Sequence, residues 1–178
     1  MGLAGTLNAF NFSALSSLTS LNLTFNELYG SIPPTISALS KLTSLDLCTN
    51  NFAGIIPLQI ISLTKLNSFN LSENQISGSI PPWLSNMTWL NFLYLHQNNL
   101  SGTIPKELGR LGNLLELKIY TNHITGSIPL TLGNLTQLQV LDCSTNGISG
   151  SIPPELGNLV NLVYLEMSNN SLIGFHPS

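Results

Sequence analysis

The sequence predicts an α/β repeat solenoid, in which short parallel strands stack along one side and turns return along the other. Leucine recurs at intervals of 24 residues between Leu18 and Leu162. Asparagine recurs at the same interval between Asn26 and Asn170, and no insertion breaks the register. Self-similarity at a fixed period of this length is the signature of a protein whose repeats stack on one another.

The period also divides the chain. We expect a single solenoid over residues 1–178, with a partial first repeat at 1–17, six full repeats at 18–161 and a truncated seventh at 162–178. A solenoid normally carries polar capping repeats at its ends. Because neither end shows such a cap, we expect the chain to be a segment of a longer array.

The first half of each repeat, Leu-x-x-Leu-x-Leu, alternates apolar and polar residues, which predicts a short strand with one buried face. The asparagine at the ninth position then turns the chain, because its amide can mimic a backbone group. Stacked from repeat to repeat, these amides are expected to form a buried, purely structural hydrogen-bonded ladder. The ladder consists of Asn26, Asn50, Asn74, Asn98, Asn122, Asn146 and Asn170.

The second half of each repeat reads Leu-x-Gly-x-Ile-Pro followed by Leu-Gly-x-Leu. Glycine permits a close backbone approach, and proline removes a donor and stops a regular helix. We therefore expect extended backbone followed by a short 3₁₀ or helical turn. Since the returning side is wider than the strand side, the stack should curve with its strands on the concave side.

Composition excludes several classes of function. The net charge is -3 and Arg110 is the single arginine, which argues against nucleic-acid binding. No apolar run reaches the roughly 18 residues of a membrane-spanning helix. Cys48 and Cys143 lie four repeats apart, roughly 19 Å at the usual strand spacing, so we expect two free thiols, with Cys143 in the core and Cys48 facing outward.

Catalytic chemistry has little support. His96, His123 and His176 do not combine with a serine or cysteine at a spacing that suggests a nucleophilic site. There is no Gly-rich phosphate loop, no carboxylate pair and no Cys/His cluster with metal-ligand spacing. We expect no active site, no metal and no cofactor in this chain.

The pattern LxxLxLxxNxLxGxIPxxLGxLxx, clearest in residues 114–137 and 138–161, resembles the plant-specific leucine-rich repeat. The resemblance implies a right-handed leucine-rich repeat superhelix with a concave parallel β-sheet and short 3₁₀ turns on the convex side. It further implies that the concave face binds the ligand and that the Ile-Pro segment adds a second, small sheet. The family includes ectodomains of plant receptor-like kinases, receptor-like proteins without a kinase, and secreted inhibitors of polygalacturonase.

The function implied by this resemblance is ligand recognition at the outer face of the plant plasma membrane or in the cell wall. The expected partners are a peptide or protein ligand and a co-receptor, and any kinase would lie outside this chain. Two alternatives stay open: a secreted defence protein similar to polygalacturonase inhibitors, and an ice-binding repeat protein. The latter would use the polar column Ser79, Thr103, Ser127 and Ser151.

Extracellular exposure would be consistent with seven Asn-x-Ser/Thr sequons, each a candidate glycosylation site. They are Asn11, Asn22, Asn70, Asn86, Asn99, Asn134 and Asn169. A repeat rich in asparagine, serine and threonine also generates sequons by chance, so the pattern alone does not select among them.

The candidate ligand surface follows from the strand positions that project outward, the third, fifth and seventh of each repeat. They are small and polar in the first three repeats, and aromatic or charged from the fourth onward. The candidate residues are Phe92, Tyr94, His96, Glu116, Lys118, Tyr120, Val140, Asp142, Tyr164 and Glu166. Exposed aromatic residues are enriched at binding hot spots, although such residues also pack across strands and hold register. We predict a recognition surface here.

Overall fold

The computed structural model describes residues 2–174. Met1 and residues 175–178 lie outside this range, and His176 with them. The described strands are β1 (Ala4–Gly5), β2 (Ser20–Asn22), β3 (Glu27–Gly30), β4 (Ser44–Asp46), β5 (Asn51–Gly54), β6 (Ser68–Asn70), β7 (Gln75–Ser79), β8 (Phe92–Tyr94), β9 (Asn99–Thr103), β10 (Glu116–Lys118), β11 (His123–Gly126), β12 (Val140–Asp142), β13 (Gly147–Ser151), β14 (Tyr164–Glu166) and β15 (Ser171–Ile173).

Between the strands lie short 3₁₀ helices, as the proline-containing half of the repeat predicts. They span Phe12–Leu15, Pro34–Ala38, Leu58–Ser62, Pro82–Asn86, Lys106–Arg110, Leu130–Asn134 and Pro154–Asn158. From the second one onward, a proline in extended conformation directly precedes the helix, such as Pro105 with φ -66° and ψ 129°. The fixed φ of proline suits this entry, and its missing N–H is not needed there.

The even-numbered strands β2 to β14 form a seven-stranded parallel sheet, the one predicted for the concave side. Each strand pairs with the equivalent strand of the next repeat, so that Phe92 of β8 lies between Ser68 of β6 and Glu116 of β10. Residues at the same repeat position are therefore neighbours across the sheet. We call its outward side the seven-stranded face.

The odd-numbered strands form a second parallel sheet, and here the structure corrects the expectation of a small sheet at the Ile-Pro segment. This sheet has eight strands, one more than the first. Its strands cover the stretch around Leu-x-Gly and end before the isoleucine, as β9 does at Thr103. Because proline has no N–H to donate to a ladder, the pairing stops before the Ile-Pro dipeptide.

The core lies between the two sheets and the 3₁₀ helices. Its apolar side chains, from Leu7 to Leu159, form one continuous cluster along the chain. Leu93 and Leu117, the central residues of β8 and β10, are fully buried. Stability therefore comes from contacts between successive repeats, as in other solenoids.

The asparagines at the strand ends connect neighbouring repeats. Asn98 Nδ2 donates to the carbonyl oxygens of Leu71 at 2.9 Å and Leu95 at 3.2 Å. Asn98 Oδ1 accepts from the backbone N–H of Ile76 at 2.9 Å. One side chain thus satisfies polar backbone atoms just after β6 and β8 and within β7, in two repeats.

A left-handed residue precedes each of these asparagines. The residues are Phe25, Thr49, Glu73, Gln97, Thr121, Thr145 and Asn169, with φ between 51° and 54°. Non-glycine residues rarely adopt this conformation, and it persists only where the surroundings impose it. Here the asparagine amide holds the turn, since it donates to backbone carbonyl oxygens and accepts from a backbone N–H, as Asn98 does.

Candidate ligand-recognition surface

The ten predicted binding residues come together on the seven-stranded face. Eight of them lie in β8, β10, β12 and β14, while His96 and Tyr120 lie two residues beyond β8 and β10. The strands alternate buried and outward residues, which directs the third, fifth and seventh positions of each repeat toward solvent. We use the name aromatic cluster for Phe92, Tyr94, His96 and Tyr120.

One half of the aromatic cluster is built around the carboxylate of Glu116. The Tyr94 hydroxyl donates to Glu116 Oε2 at 2.9 Å, and Lys118 Nζ lies 2.7 Å from the same oxygen. Lys118 Nζ also lies 4.8 Å from the centroid of the Tyr94 ring. A cation near an aromatic face is held by the ring quadrupole as well as by the carboxylate. Tyr94, Glu116 and Lys118 therefore form one ordered unit across β8 and β10.

The ionisation of these groups reflects the same contacts. Desolvation alone would raise the pKa of Glu116, but hydrogen bonds from Lys118 and Tyr94 outweigh it and lower that pKa below its usual value. Burial, and next the hydrogen bond to Glu116, raise the pKa of Tyr94. Glu116 is therefore ionised and Tyr94 is a neutral donor at neutral pH.

The other half of the aromatic cluster is a stacked pair. The rings of His96 and Tyr120 lie with centroids 4.4 Å apart and planes 15° apart. Tyr94 approaches the same imidazole at 6.2 Å in an edge-on arrangement. His96 Nδ1 is buried and has no hydrogen-bond partner among the residues that the structure describes.

The surroundings of His96 disfavour its protonated form. Burial is the largest cause that lowers its pKa; Glu73 and Asp142 act in the opposite direction, and Lys118 lowers the pKa further. Burial likewise raises the pKa of Tyr120, with Asp142 and Glu73 contributing. Both stacked rings are therefore neutral at neutral pH.

The two remaining predicted carboxylates, Asp142 and Glu166, each accept hydrogen bonds from the serine two residues further along the chain. Asp142 is buried, and its Oδ1 accepts from the Ser144 backbone N–H at 3.1 Å and from the Ser144 hydroxyl at 2.7 Å. Glu166 Oε1 accepts from the backbone N–H of Ser168 at 3.0 Å. The Ser168 hydrogen bonds lower the pKa of Glu166. Asp142 is thus more buried than the sequence suggests, while Tyr164 is exposed and Val140 is half-buried.

The first three repeats present a different surface. Asn70 lies directly beside Tyr94 in the sheet register, and its Oδ1 accepts from the Ser72 hydroxyl at 2.6 Å. Cys48 Sγ lies 3.2 Å from the Ser72 hydroxyl. Both cysteines are free, Cys48 half-buried on this face and Cys143 buried in the core, where desolvation raises the pKa of its thiol to about 12. The free thiols and their placement agree with the sequence prediction.

The asparagines of the sequons differ in exposure. Asn70 is half-buried, whereas the other six are exposed: Asn11, Asn22, Asn86, Asn99, Asn134 and Asn169. Asn22 and Asn70 lie on the seven-stranded face, on strands β2 and β6, outside the aromatic cluster.

Sequence reasoning missed Glu73 as a member of this surface. Glu73 lies in the turn after β6, and its backbone N–H donates to the carbonyl oxygen of His96 at 3.0 Å. Its repeat position falls just outside the strand, and its left-handed φ of 54° brings it beside the neighbouring repeat. A rule that counts only alternating strand positions cannot detect such a residue.

Two negative findings apply to residues 2–174. That range contains no group of three or more His, Cys, Asp or Glu side chains arranged to hold a metal ion. It also contains no helix with the length and apolar character needed to cross a bilayer.

Comparison with known protein families gives matches along most of the chain. Models described as leucine-rich repeat match residues 40–100 and residues 17–39, 137–159 and 161–178. No curated protein matches the chain at a significant level.

Solved structures with the same architecture include plant receptors. The plant peptide hormone receptor RGFR1, solved in complex with RGF2, is 32% identical with a TM-score of 0.90 over 96% of this chain. The Arabidopsis receptor kinase HAESA, solved with the peptide hormone IDA and the co-receptor SERK1, is 34% identical with a TM-score of 0.89 over 97% of this chain. This chain spans 27% and 30% of those two receptor chains.

A second kind of structure is also similar. A plant ice-binding protein is 29% identical, with a TM-score of 0.73, over 99% of this chain and 72% of its own length.

Proposed function

Because the chain belongs to the leucine-rich repeat family and shares its fold with ectodomains of plant receptor kinases, we propose that it recognises a peptide or protein ligand as part of a plant cell-surface receptor. The ligand lies on the seven-stranded face and contacts the ten residues from Phe92 to Glu166 that project from β8 to β14. A co-receptor is the second expected partner. The chain itself carries no catalytic step, and its site of action is extracellular.

The observation that carries this proposal is the aromatic cluster. Its rings share the seven-stranded face with small polar side chains in the first three repeats and with charged side chains from the fourth repeat onward. They are held by contacts with one another and with Glu116. A rigid aromatic residue loses little conformational freedom when a partner binds, so more of its buried area appears as affinity. HAESA was solved with the peptide hormone IDA, and RGFR1 is a plant peptide hormone receptor solved with RGF2, which supports the same class of ligand.

The placement of sequons supports the extracellular setting. We propose that the seven sequon asparagines are glycosylation sites, with Asn22 and Asn70 on the half of the seven-stranded face that lacks the aromatic cluster. A glycan at Asn22, three strands from β8, leaves the strands β8 to β14 open to the ligand, whereas a glycan at Asn70 borders the aromatic cluster at Tyr94. Mass spectrometry of the chain secreted from plant cells, with and without glycosidase, tests each site.

The experiment for the recognition function is a selection from a library of random 12-residue peptides displayed on phage. The immobilised chain is the target, and a Tyr94→Ala/Tyr120→Ala variant removes binders of other surfaces. Recovery of peptides that bind the chain but not the variant supports the proposal. Failure to recover such peptides, or equal binding to the variant, contradicts it.

Ice binding is a second candidate, favoured by the eight-stranded sheet. Ser79, Thr103 and Ser151 are exposed at the ends of β7, β9 and β13, and Ser127 is exposed directly after β11. The similarity to a plant ice-binding protein supports this candidate. Inhibition of ice recrystallisation that is lost in Thr103→Lys but kept in Tyr94→Ala would support it; absence of inhibition by the unaltered chain would reject it.

A further inference from the structure

The seven-stranded face is strongly acidic for a chain with few charges. Of the chain's 8 acidic residues, Asp46, Glu116, Asp142 and Glu166 lie on the strands of this face and Glu73 lies in an adjoining turn. Of its 5 basic residues, Lys118 is on this face within the described part of the chain. Because the Lys118–Glu116 pair is neutral as a whole, the acidic residues Asp46, Glu73, Asp142 and Glu166 remain in excess on this face.

In the stacked pair, one face of the Tyr120 ring contacts His96 and the opposite face is turned away from it. We call this opposite face the outer face of Tyr120. His96 and Tyr120 follow adjacent strands, and their planes are nearly parallel. Their stacking direction therefore runs across the strands. The outer face of the Tyr120 ring is turned toward β12, and the outer face of the His96 ring is turned toward β6. Ser144, two residues after the end of β12, has the repeat position of Tyr120, and the Thr121 N–H donates to the Ser144 carbonyl oxygen at 3.0 Å. Serine is too small to cover the ring.

The carboxylate of Asp142 lies next to Ser144, on the side of Tyr120 that faces away from His96. Asp142 precedes Ser144 by two residues, and its Oδ1 is held by the Ser144 N–H and hydroxyl. Asp142 also lies beside Lys118 in the sheet register, in the row next to Tyr120. On the far side of the stacked pair, Glu73 adjoins His96. The outer face of Tyr120 is thus a ring surface in an acidic setting that is partly shielded from water.

Resting on the recognition function proposed above, we infer that the outer face of Tyr120, over Ser144 and beside Asp142, binds a positively charged arginine or lysine side chain of the ligand. The cation would lie against the ring quadrupole and close to the Asp142 carboxylate, and both attractions act in the same direction. Lys118 does not occupy this position because Glu116 and the Tyr94 ring hold it on the other side.

The peptides selected from the library of random 12-residue peptides test this inference. We expect an arginine or lysine at one shared position of the peptides that require Tyr94 and Tyr120. A synthetic peptide of the enriched sequence is then compared with its analogue in which this residue is neutral, citrulline for arginine or acetyl-lysine for lysine. The neutral analogue should bind at least about tenfold more weakly, since one charge-assisted contact is lost.

Matched variants locate the contact. Asp142→Asn keeps the oxygen that accepts from Ser144 and removes the charge, so it should weaken the cationic peptide about tenfold and leave the neutral analogue unchanged. Asp46→Asn makes the same change at the equivalent position of another repeat, where Oδ1 accepts from the Cys48 N–H at 3.1 Å. This control should bind both peptides as the unaltered chain does.

Each other outcome contradicts the inference. Selected peptides that need the two tyrosines but carry no shared basic residue would overturn the cation site and leave the recognition function standing. A basic residue whose neutralisation weakens binding equally in Asp142→Asn and the unaltered chain would place the cation elsewhere. If no peptide requires the two tyrosines, the recognition function and the cation site both fail.

Discussion

The imidazole of His96 and the phenol ring of Tyr120 are stacked with their centroids 4.4 Å apart, although 24 positions separate the two residues in the chain. The stack crosses from the strand β8 to the strand β10 and fixes the side-chain torsions of both residues. Together with the Tyr94–Glu116–Lys118 unit, it makes the aromatic cluster a preordered surface. Such preorganisation lowers the entropy that a ligand must remove on binding.

The pKa of His96 should lie below its ordinary value of 6.5, because burial disfavours the imidazolium more than Glu73 and Asp142 favour it. An NMR titration of the imidazole resonances measures this pKa, and His96→Gln identifies the signal by its loss. As the pH falls below 6.5, the unfolded chain takes up a proton at His96 before the folded chain does, so this residue lowers the stability of the fold with acidification. A titration midpoint at or above 6.5 would show that the imidazole is not desolvated as described.

Asn98→Ala should destabilise the chain by about 3 kcal/mol, because it leaves buried backbone groups of two successive repeats without partners. The lost bonds include those to the Leu71 carbonyl oxygen and the Ile76 N–H. Urea denaturation followed by circular dichroism measures the change. Asn99→Ala, at the exposed neighbouring position, is the control and should stay within about 0.5 kcal/mol of the unaltered chain. Equal midpoints for the two variants would mean that the asparagine does not connect the repeats.

Gly109→Ala should destabilise the chain by about 2 kcal/mol, because the new methyl group would overlap the carbonyl of Thr131 in the next repeat. Gly157 has the same place in a later repeat, but a methyl group there would meet nothing within 4 Å. Gly157→Ala should therefore lie within about 0.5 kcal/mol of the unaltered chain. Thermal or urea denaturation measures the loss of stability in both variants. A similar loss of stability in the two would show that the close approach of Thr131 to Gly109 is not what makes the first substitution costly.

Cys143 should resist thiol reagents in the folded chain, since it is buried and its pKa is raised to about 12. Native protein treated with Ellman's reagent at pH 8 should release at most one equivalent, and the second should appear only in urea. A Cys48→Ser variant assigns the native signal, because it should release none before unfolding. Rapid reaction of both thiols in the native state would show that the core opens at Cys143.

The repeat sequence determined most of the fold in advance. The alternation around Leu93 predicted the strand β8, and Pro105 predicted that a short 3₁₀ helix rather than a long helix follows it. The asparagine positions located the turns. The extent of the second sheet was not predictable, because a Leu-x-Gly segment pairs only when its neighbours adopt the same extended path. That pairing is a property of the stack, and the segment alone carries no signal for it.

The candidate surface was predictable as a set of positions but not as a set of contacts. Alternation placed Phe92, Tyr94 and His96 on one face, yet the pairing of Glu116 with Tyr94 and Lys118 depends on side-chain torsions that the sequence does not encode locally. Glu73 was missed for a related reason. Its left-handed conformation is imposed by the following asparagine Asn74, and residues at this position share no sequence pattern.

The most direct test of the account is the affinity of a peptide selected on the unaltered chain for single variants of the aromatic cluster. Isothermal titration calorimetry gives the dissociation constant for Tyr94→Ala, Tyr120→Ala and the control Tyr29→Ala, whose ring is exposed on the eight-stranded sheet. Loss of a hot-spot ring should raise the dissociation constant at least about tenfold for Tyr94→Ala and Tyr120→Ala, with Tyr29→Ala unchanged and all three folded by circular dichroism. Unchanged affinity in both cluster variants would contradict recognition by the seven-stranded face.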